Sequence, residues 1–286
     1  MKYRTFGRLD WKVSEIGFGA WAIGGDAWGE QKDEVSLAAL HRALDLGVNF
    51  IDTAQVYGNG HSERLIGKVL RERKEKVGDG KIKVATKIPP KPGNWPPFPH
   101  ESCEVRFPED YLRERVEFSL KNLKAEVLDL VQLHTWTRAW NRNPSAVHVL
   151  QQLKKEGKIL AVGISTPEHD QNSLIELMRN GLLDSVQVIY NIFEQEPAAE
   201  FLPAALENNS WHSSSILVRI SLSMNSVERV RRNPEKGLKI SSSRPSPEPS
   251  ALPPSFGSIG QQHTTHSTAC SGSSAWHFGH FISATS

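Results

Sequence analysis

The sequence predicts an α/β fold on a parallel sheet and, within that class, a (β/α)8 barrel. Three observations carry this expectation. Up to about residue 209, short apolar runs alternate six times with amphipathic stretches, the pattern of strands each followed by a helix. Most runs stop at a polar side chain. In a barrel all strand C-termini face one mouth, where such groups meet. Finally, the glycine-rich "GFGAWAIGG" lacks the G-x-G-x-x-G order and has no helix directly behind it, which disfavours an open, doubly wound sheet.

The elements follow in order. "YRTFGRLDWKVS" reads as a hairpin with its turn near Leu9 and Asp10, and "EIGFGA" as a short strand. "DEVSLAALHRALDLG" places Val35, Leu37, Leu40, Ala43, Leu44 and Leu46 at helical spacing, and Gly47 ends it. "VNFID" is the next strand and "SERLIGKVLRER" the next helix. "KIKVATK" is a strand ending on Lys87, followed by the helix "PEDYLRERVEFSLKNLKA" with Pro108 near its start. "LDLVQLH" is a strand ending on His134, with "PSAVHVLQQLKKEG" as its helix. "ILAVGIS" ends on Ser165 before the helix "PEHDQNSLIELMRNG". "DSVQVIYN" holds Gln187, and "PAAEFLPAALENN" is the last helix.

Bulk properties exclude several classes. A net charge of +2 is too small to imply a nucleic-acid partner. Two cysteines, Cys103 and Cys270, make no disulfide framework, and Cys103 has no ligand cluster around it to bind a metal. No apolar run approaches the roughly 20 residues of a membrane span. The N-terminus lacks a signal peptide's continuous apolar core. The expected setting is the cytoplasm, with no membrane partner.

The strand-end groups form a constellation. Asp52, Lys87, His134 and Ser165 close successive strands, Gln187 lies within the next, and Tyr57 sits five residues past Asp52. Each alone has a plainer reading: Asp52 as a loop cap, Tyr57 as a rim aromatic, Lys87 as a solvated strand end, His134 as a core histidine. Together they suit carbonyl chemistry. A buried lysine beside a carboxylate shares its desolvation penalty, and an ammonium beside a phenol stabilises the phenolate. Such a phenol gives a proton to a developing alkoxide, and an imidazole orients the same oxygen.

These residues carry a family resemblance. "NFIDTAQVYGNGHSERLIG", followed by "ATK", "LVQLH", "GKILAVGIST" and "VQVIYN", resembles the aldo-keto reductases over about residues 1–208. The resemblance implies an eight-stranded barrel and a catalytic tetrad of Tyr57, Asp52, Lys87 and His134. It implies NADPH as cofactor, with Ser165, Gln187 and Asp52 among the residues that bind it. It implies reduction of a small-molecule aldehyde or ketone, with Tyr57 as proton donor. Trp21, Trp28, Trp136 and Trp140 are pocket candidates, with ordinary packing as the alternative. The proline-rich "KIPPKPGNWPPFPHESCEVRF" reads as a mouth loop or a plain insertion.

The resemblance stops near Asn208. Residues 1–209 contain 9 serines and residues 210–286 contain 20. No aspartate follows Asp184 and no tyrosine follows Tyr190. Such a tail reads as disordered, so residues 1–209 are expected to hold six β/α units and residues 210–286 a separate tail. "SSSILVRISL" has the pattern of one strand, and nothing supplies the eighth. The barrel is therefore expected to be incomplete, its last two units missing or replaced. The abrupt change of composition is what translation in a shifted register would produce. Two further readings thus stand beside the reductase: an inactive truncated or frameshifted product, and a non-catalytic NADPH-binding regulatory subunit.

Overall fold

The chain opens on an antiparallel hairpin, β1 (Tyr3–Phe6) with β2 (Trp11–Ser14), Phe6 opposite Trp11. Asp10 takes its turn at φ 52°, a left-handed conformation that a short polar side chain tolerates. The computed structural model describes residues 1–25, 31–78, 80–167, 170–206 and 215–219.

Seven strands then form one sheet in chain order, every neighbouring pair parallel: β3 (Phe18–Gly19), β4 (Phe50–Asp52), β5 (Lys83–Ile88), β6 (Leu128–Leu133), β7 (Ile159–Ser165), β8 (Ser185–Ile189) and β9 (Ser215–Arg219). Between them run α1 (Asp33–Asp45), α2 (His61–Glu72), α3 (Cys103–Arg106), α4 (Glu109–Leu123), α5 (Ser145–Lys155), α6 (Ile175–Arg179), α7 (Glu196–Ala199) and α8 (Phe201–Leu206). Strictly sequential parallel strands with helical crossovers are the order of a (β/α) barrel rather than of an open sheet with a switch point.

The strands alternate with a period of two. Ile51, Val84, Ile88, Val131, Leu133, Val162, Ile164, Val186 and Val188 pack into the large core shared with the helices. The opposite face carries Phe50, Ala85, Leu130 and Ala161, which form a second cluster with Phe6 and Val13 of the hairpin. Phe6 lies against Phe50 at 5.4 Å and stacks on Trp11 at 5.9 Å. The hairpin therefore plugs the inner face with apolar side chains. Two residues further along the same face, β4 presents Asp52, β5 Lys87, β6 Gln132 and β7 Gly163, with Ser165 following on β7. Apolar floor gives way to polar layer toward the strand C-termini.

One expectation is met here and two change. "SSSILVRISL", read as one strand, supplies Ser215–Arg219, which pairs with Ser185–Ile189 along its whole length and carries the sheet past residue 209. Apart from that strand, the tail expected to be disordered, residues 210–286, lies outside the described residues. The helix foreseen over "PAAEFLPAALENN" breaks into α7 and α8. A helix through Pro203 would drive its ring into the carbonyl of Ala199, four residues back, and α7 ends there. The helix foreseen over "PEHDQNSLIELMRNG" shrinks to Ile175–Arg179. Ahead of it the backbone makes tight turns instead of helix: the Ser173 amide donates to Asp170 O and the Ile175 amide to Asn172 O, each at 3.3 Å.

Candidate active site

Lys87 is the centre of the polar layer. It has no exposed surface. Its Nζ donates to Asp52 Oδ1 at 2.6 Å and to the Thr53 carbonyl at 2.8 Å. The strand register explains the meeting: Asp52 lies opposite Ala85, so Lys87, two residues on, reaches over the end of β4. The same ammonium stands 5.4 Å from the centroid of the Tyr57 ring, within cation–π range.

Tyr57 is buried and is carried by the loop after β4. Backbone bonds tie that loop to the next strand: the Thr53 amide donates to Ala85 O at 2.8 Å, and the Gln55 amide to Lys87 O at 3.1 Å. Two glycines let a second loop close on it. Gly58 has φ 61°, and a Cβ there would lie 2.1 Å from the Gly24 carbonyl oxygen; a Cβ on Gly24 would lie 2.7 Å from Tyr57 C. Only residues without a Cβ fit this approach. It brings Trp21 to stack on Tyr57 at 6.0 Å.

His134 follows β6, its amide bonded to Ile88 O at 2.9 Å. Its half-buried ring meets Tyr57 edge-on at 6.0 Å. Asp52, Tyr57, Lys87 and His134 thus converge from β4, its loop, β5 and the end of β6. Ser165 and Gln187 are register partners on β7 and β8, both buried. Among the described residues neither amide atom of Gln187 has a hydrogen-bond partner. A buried primary amide with both functions unmet matches a ligand carboxamide, which carries one donor group and one acceptor.

The tryptophans separate. Trp21 lines the mouth. Trp28 lies outside the described residues. Trp136 offers the mouth no surface: it is fully buried, donates from Nε1 to Asn141 Oδ1 at 2.8 Å, and packs edge-on against Trp140 at 5.2 Å. Its apolar area is better satisfied in the helix-side core, which it joins. Trp140 is buried there too, donating to the Glu101 carbonyl at 2.6 Å. Spacing after His134 does not say to which side the chain turns.

Three residues at or behind the site escaped the sequence. Trp95, from the proline-rich loop after β5, meets His134 edge-on at 5.5 Å with 59% of its surface exposed. That loop is built around Arg106, whose buried guanidinium donates to Lys91 O, Asn94 O and Glu101 Oε2. Gln132, register partner of Lys87, is buried with neither amide atom partnered among the described residues. Its Cγ would stand 3.1 Å from a Cβ on Gly163. The third is Glu63, on the far side of β5. Its position on the helical stripe with Ile66 and Leu70 was the available signal that it is buried.

Comparison with known proteins gives a consistent picture. The profile of the aldo/keto reductase family matches residues 15–211. "Aldo-keto reductase YhdN" of Bacillus subtilis is 33% identical over 208 residues, covering 73% of this chain and 59% of the relative. "NADH-specific methylglyoxal reductase" of Escherichia coli is 31% identical over 219 residues, covering 73% of this chain and 64% of the relative. A solved aldo-keto reductase from Klebsiella pneumoniae, in complex with NADPH, matches with a TM-score of 0.56 at 25% identity, covering 75% of this chain and 66% of the other. The chain thus spans about three fifths of the length of the curated relatives it matches.

Proposed function

From the premise that the chain belongs to the aldo/keto reductase family, we propose that it is an oxidoreductase that reduces a small-molecule aldehyde or ketone with a nicotinamide cofactor. One observation carries the proposal most directly: a lysine with no exposed surface, paired with Asp52 at 2.6 Å, stands over the ring of Tyr57, with His134 on the ring's edge. A purely structural lysine would not need a phenol and an imidazole beside it at the mouth.

The roles follow from the chemistry of each group. When bound, the nicotinamide supplies the hydride. Tyr57 gives a proton to the carbonyl oxygen as negative charge develops there. Lys87 stabilises the phenolate left behind, and Asp52, 2.6 Å from its ammonium, offsets the penalty of burying that group. His134 donates to the same oxygen and fixes the carbonyl's direction. Gln187, with Ser165 beside it, would hold the carboxamide, which the unmet amide of Gln187 supports. Asp52 would be among the residues that bind the cofactor. Trp21 and Trp95 form apolar walls around the reacting carbonyl. We assign NADPH, in keeping with the Klebsiella complex, and a cytoplasmic setting. One relative's name specifies NADH, so both cofactors belong in the assay.

A second reading is favoured by the family match ending at residue 211 of 286. In it, the chain beyond the strand Ser215–Arg219 is a distinct tail, the barrel stays incomplete after its seventh strand, and the chain is either a non-catalytic cofactor-binding subunit or an inactive product. Oxidation of NADPH and of NADH by the full chain with a generic aldehyde decides. Turnover that falls at least about 100-fold in Tyr57→Phe, with cofactor still bound, supports the reductase. Cofactor binding without turnover supports the regulatory reading, and absence of binding the inactive one.

A further inference from the structure

Glu63 stands in the first turn of α2 with no exposed surface. Among the described residues no basic side chain forms an ion pair with it. Its two oxygens are instead met by three neutral donors. Oε1 accepts from the Thr86 hydroxyl at 2.6 Å and the Ser119 hydroxyl at 2.7 Å, and Oε2 accepts from Asn122 Nδ2 at 2.8 Å. Those donors come from two elements, β5 and α4. A carboxylate buried on neutral donors alone is a demanding arrangement, and a merely packed position would be met more simply by an apolar residue.

The direction of the hydrogen bonds says what it does. Ser119 donates its one hydroxyl proton to Glu63 Oε1. That leaves the Ser119 lone pairs for Gln55, whose Nε2 donates to Ser119 Oγ at 2.8 Å and to the Arg115 carbonyl at 2.6 Å. Gln55 lies between Asp52 and Tyr57, and its backbone carbonyl accepts from the Gly60 amide at 2.7 Å. Thr86, at the other end of the network, is the residue before Lys87. One carboxylate therefore ties the strand that carries Lys87 to the loop that carries Tyr57. Its neighbour Ser62 acts on the same loop: it donates to Ala20 O at 2.9 Å, so Thr53 is the donor in their 2.8 Å hydroxyl contact.

We propose that Glu63 is a positioning residue, its buried carboxylate holding Tyr57 in place against Lys87 through Ser119 and Gln55. The inference rests on the reading of Tyr57 as proton donor. It takes Glu63 out of the role of simple helix-start residue and makes the first turn of α2 part of the catalytic apparatus.

The test uses the full chain and the variants Glu63→Met, Glu63→Gln and Ser119→Ala. Three quantities are read: amide hydrogen exchange across residues 53–60, cofactor affinity, and kcat with a generic aldehyde. Glu63→Met removes every acceptor; exchange across the loop should rise and kcat fall, each by about tenfold or more, with cofactor affinity nearly unchanged. Glu63→Gln keeps a carbonyl oxygen for Thr86 and Ser119, and Asn122 turns its amide to match, so most of kcat should return. Ser119→Ala cuts only the branch to Gln55 and leaves the other two bonds of Glu63, so it reports even if Glu63→Met fails to fold. A structural role alone would lower the melting temperature and leave loop exchange and kcat at parental values. Parental values of both in folded Glu63→Met, or in Ser119→Ala, overturn the inference. Undiminished turnover in Tyr57→Phe would instead overturn the proton-donor reading, and loop exchange would still decide whether Glu63 holds the loop.

Discussion

Lys87 can be fully buried because its ammonium is paired with the Asp52 carboxylate and also donates to the Thr53 carbonyl. Both partners lie at the end of β4, so the contact also fastens two strand ends together. Lys87→Met would leave Asp52 buried with no countercharge, which removal of one partner from a buried pair makes costly by about 3–5 kcal/mol. Chemical denaturation should show that loss. The double variant Lys87→Met with Asp52→Leu should recover much of the stability and none of the turnover. Recovery of turnover would remove Lys87 from the mechanism. At this scale the sequence was informative where a polar residue closed an apolar run, as at Asp52, Lys87 and His134. It was uninformative where position depends on how a loop turns. Trp136 lies two residues past His134 and was a pocket candidate, yet it belongs to the helix-side core. Trp95, in a proline-rich stretch without period, turns out to touch His134.

The strands were legible as elements because each is a short apolar run bounded by turn residues, and both of its faces are covered. The helices were legible where a stripe of apolar residues runs unbroken, as in α2 and α4. They were lost where local structure overrides the stripe: at Pro203, which splits the last one, and ahead of Ile175, where the backbone makes tight turns. The loop after β4 belongs to neither class. It is held by the close approach of Gly24 and Gly58, and the quoted motif "YGNG" marks it only as a turn. Gly58→Ala tests how tightly. The left-handed backbone costs about 1–2 kcal/mol for a residue with a Cβ, and the added atom would also sit 2.1 Å from the Gly24 carbonyl oxygen. The loops must separate, carrying Tyr57 from Trp21. The expected result is a melting temperature several degrees lower and turnover reduced more than cofactor binding. A variant with parental turnover would mean that this contact does not set the position of Tyr57.

Across the whole sheet, two buried carboxylates repeat one device at the ends of strands remote from the site. Asp129 Oδ2 accepts from the Val84 amide at 3.1 Å, and Asp184 Oδ2 accepts from the Val162 amide at 2.9 Å. Each joins a strand to the one before it, and each is paired with a lysine, Lys83 at 3.1 Å and Lys154 at 2.6 Å. For Asp129 burial outweighs the lysine: the carboxyl titrates above its ordinary 3.8, raised by desolvation and lowered in part by Lys83. A raised acid holds its proton in the folded chain after the unfolded chain has lost it. Stability therefore falls as pH rises from about 3.8 toward the folded value, and the deficit persists above it. Removing the cation by Lys83→Met raises that value further and widens the window. The variant should match the parent most closely near the acid end, then fall behind as pH rises, by about 3 kcal/mol at neutrality. Lys83 also stands 4.8 Å over the Trp11 ring, so a small pH-independent loss should accompany it. Urea unfolding followed from acid to neutral pH reads both components. Adding Asp129→Asn to Lys83→Met should flatten the pH-dependent part, because the group that titrates is gone. A deficit that stays constant with pH, or that persists in the double variant, would show that the pair joins β5 to β6 by packing alone and that the burial of Asp129 carries no charge penalty for the sheet.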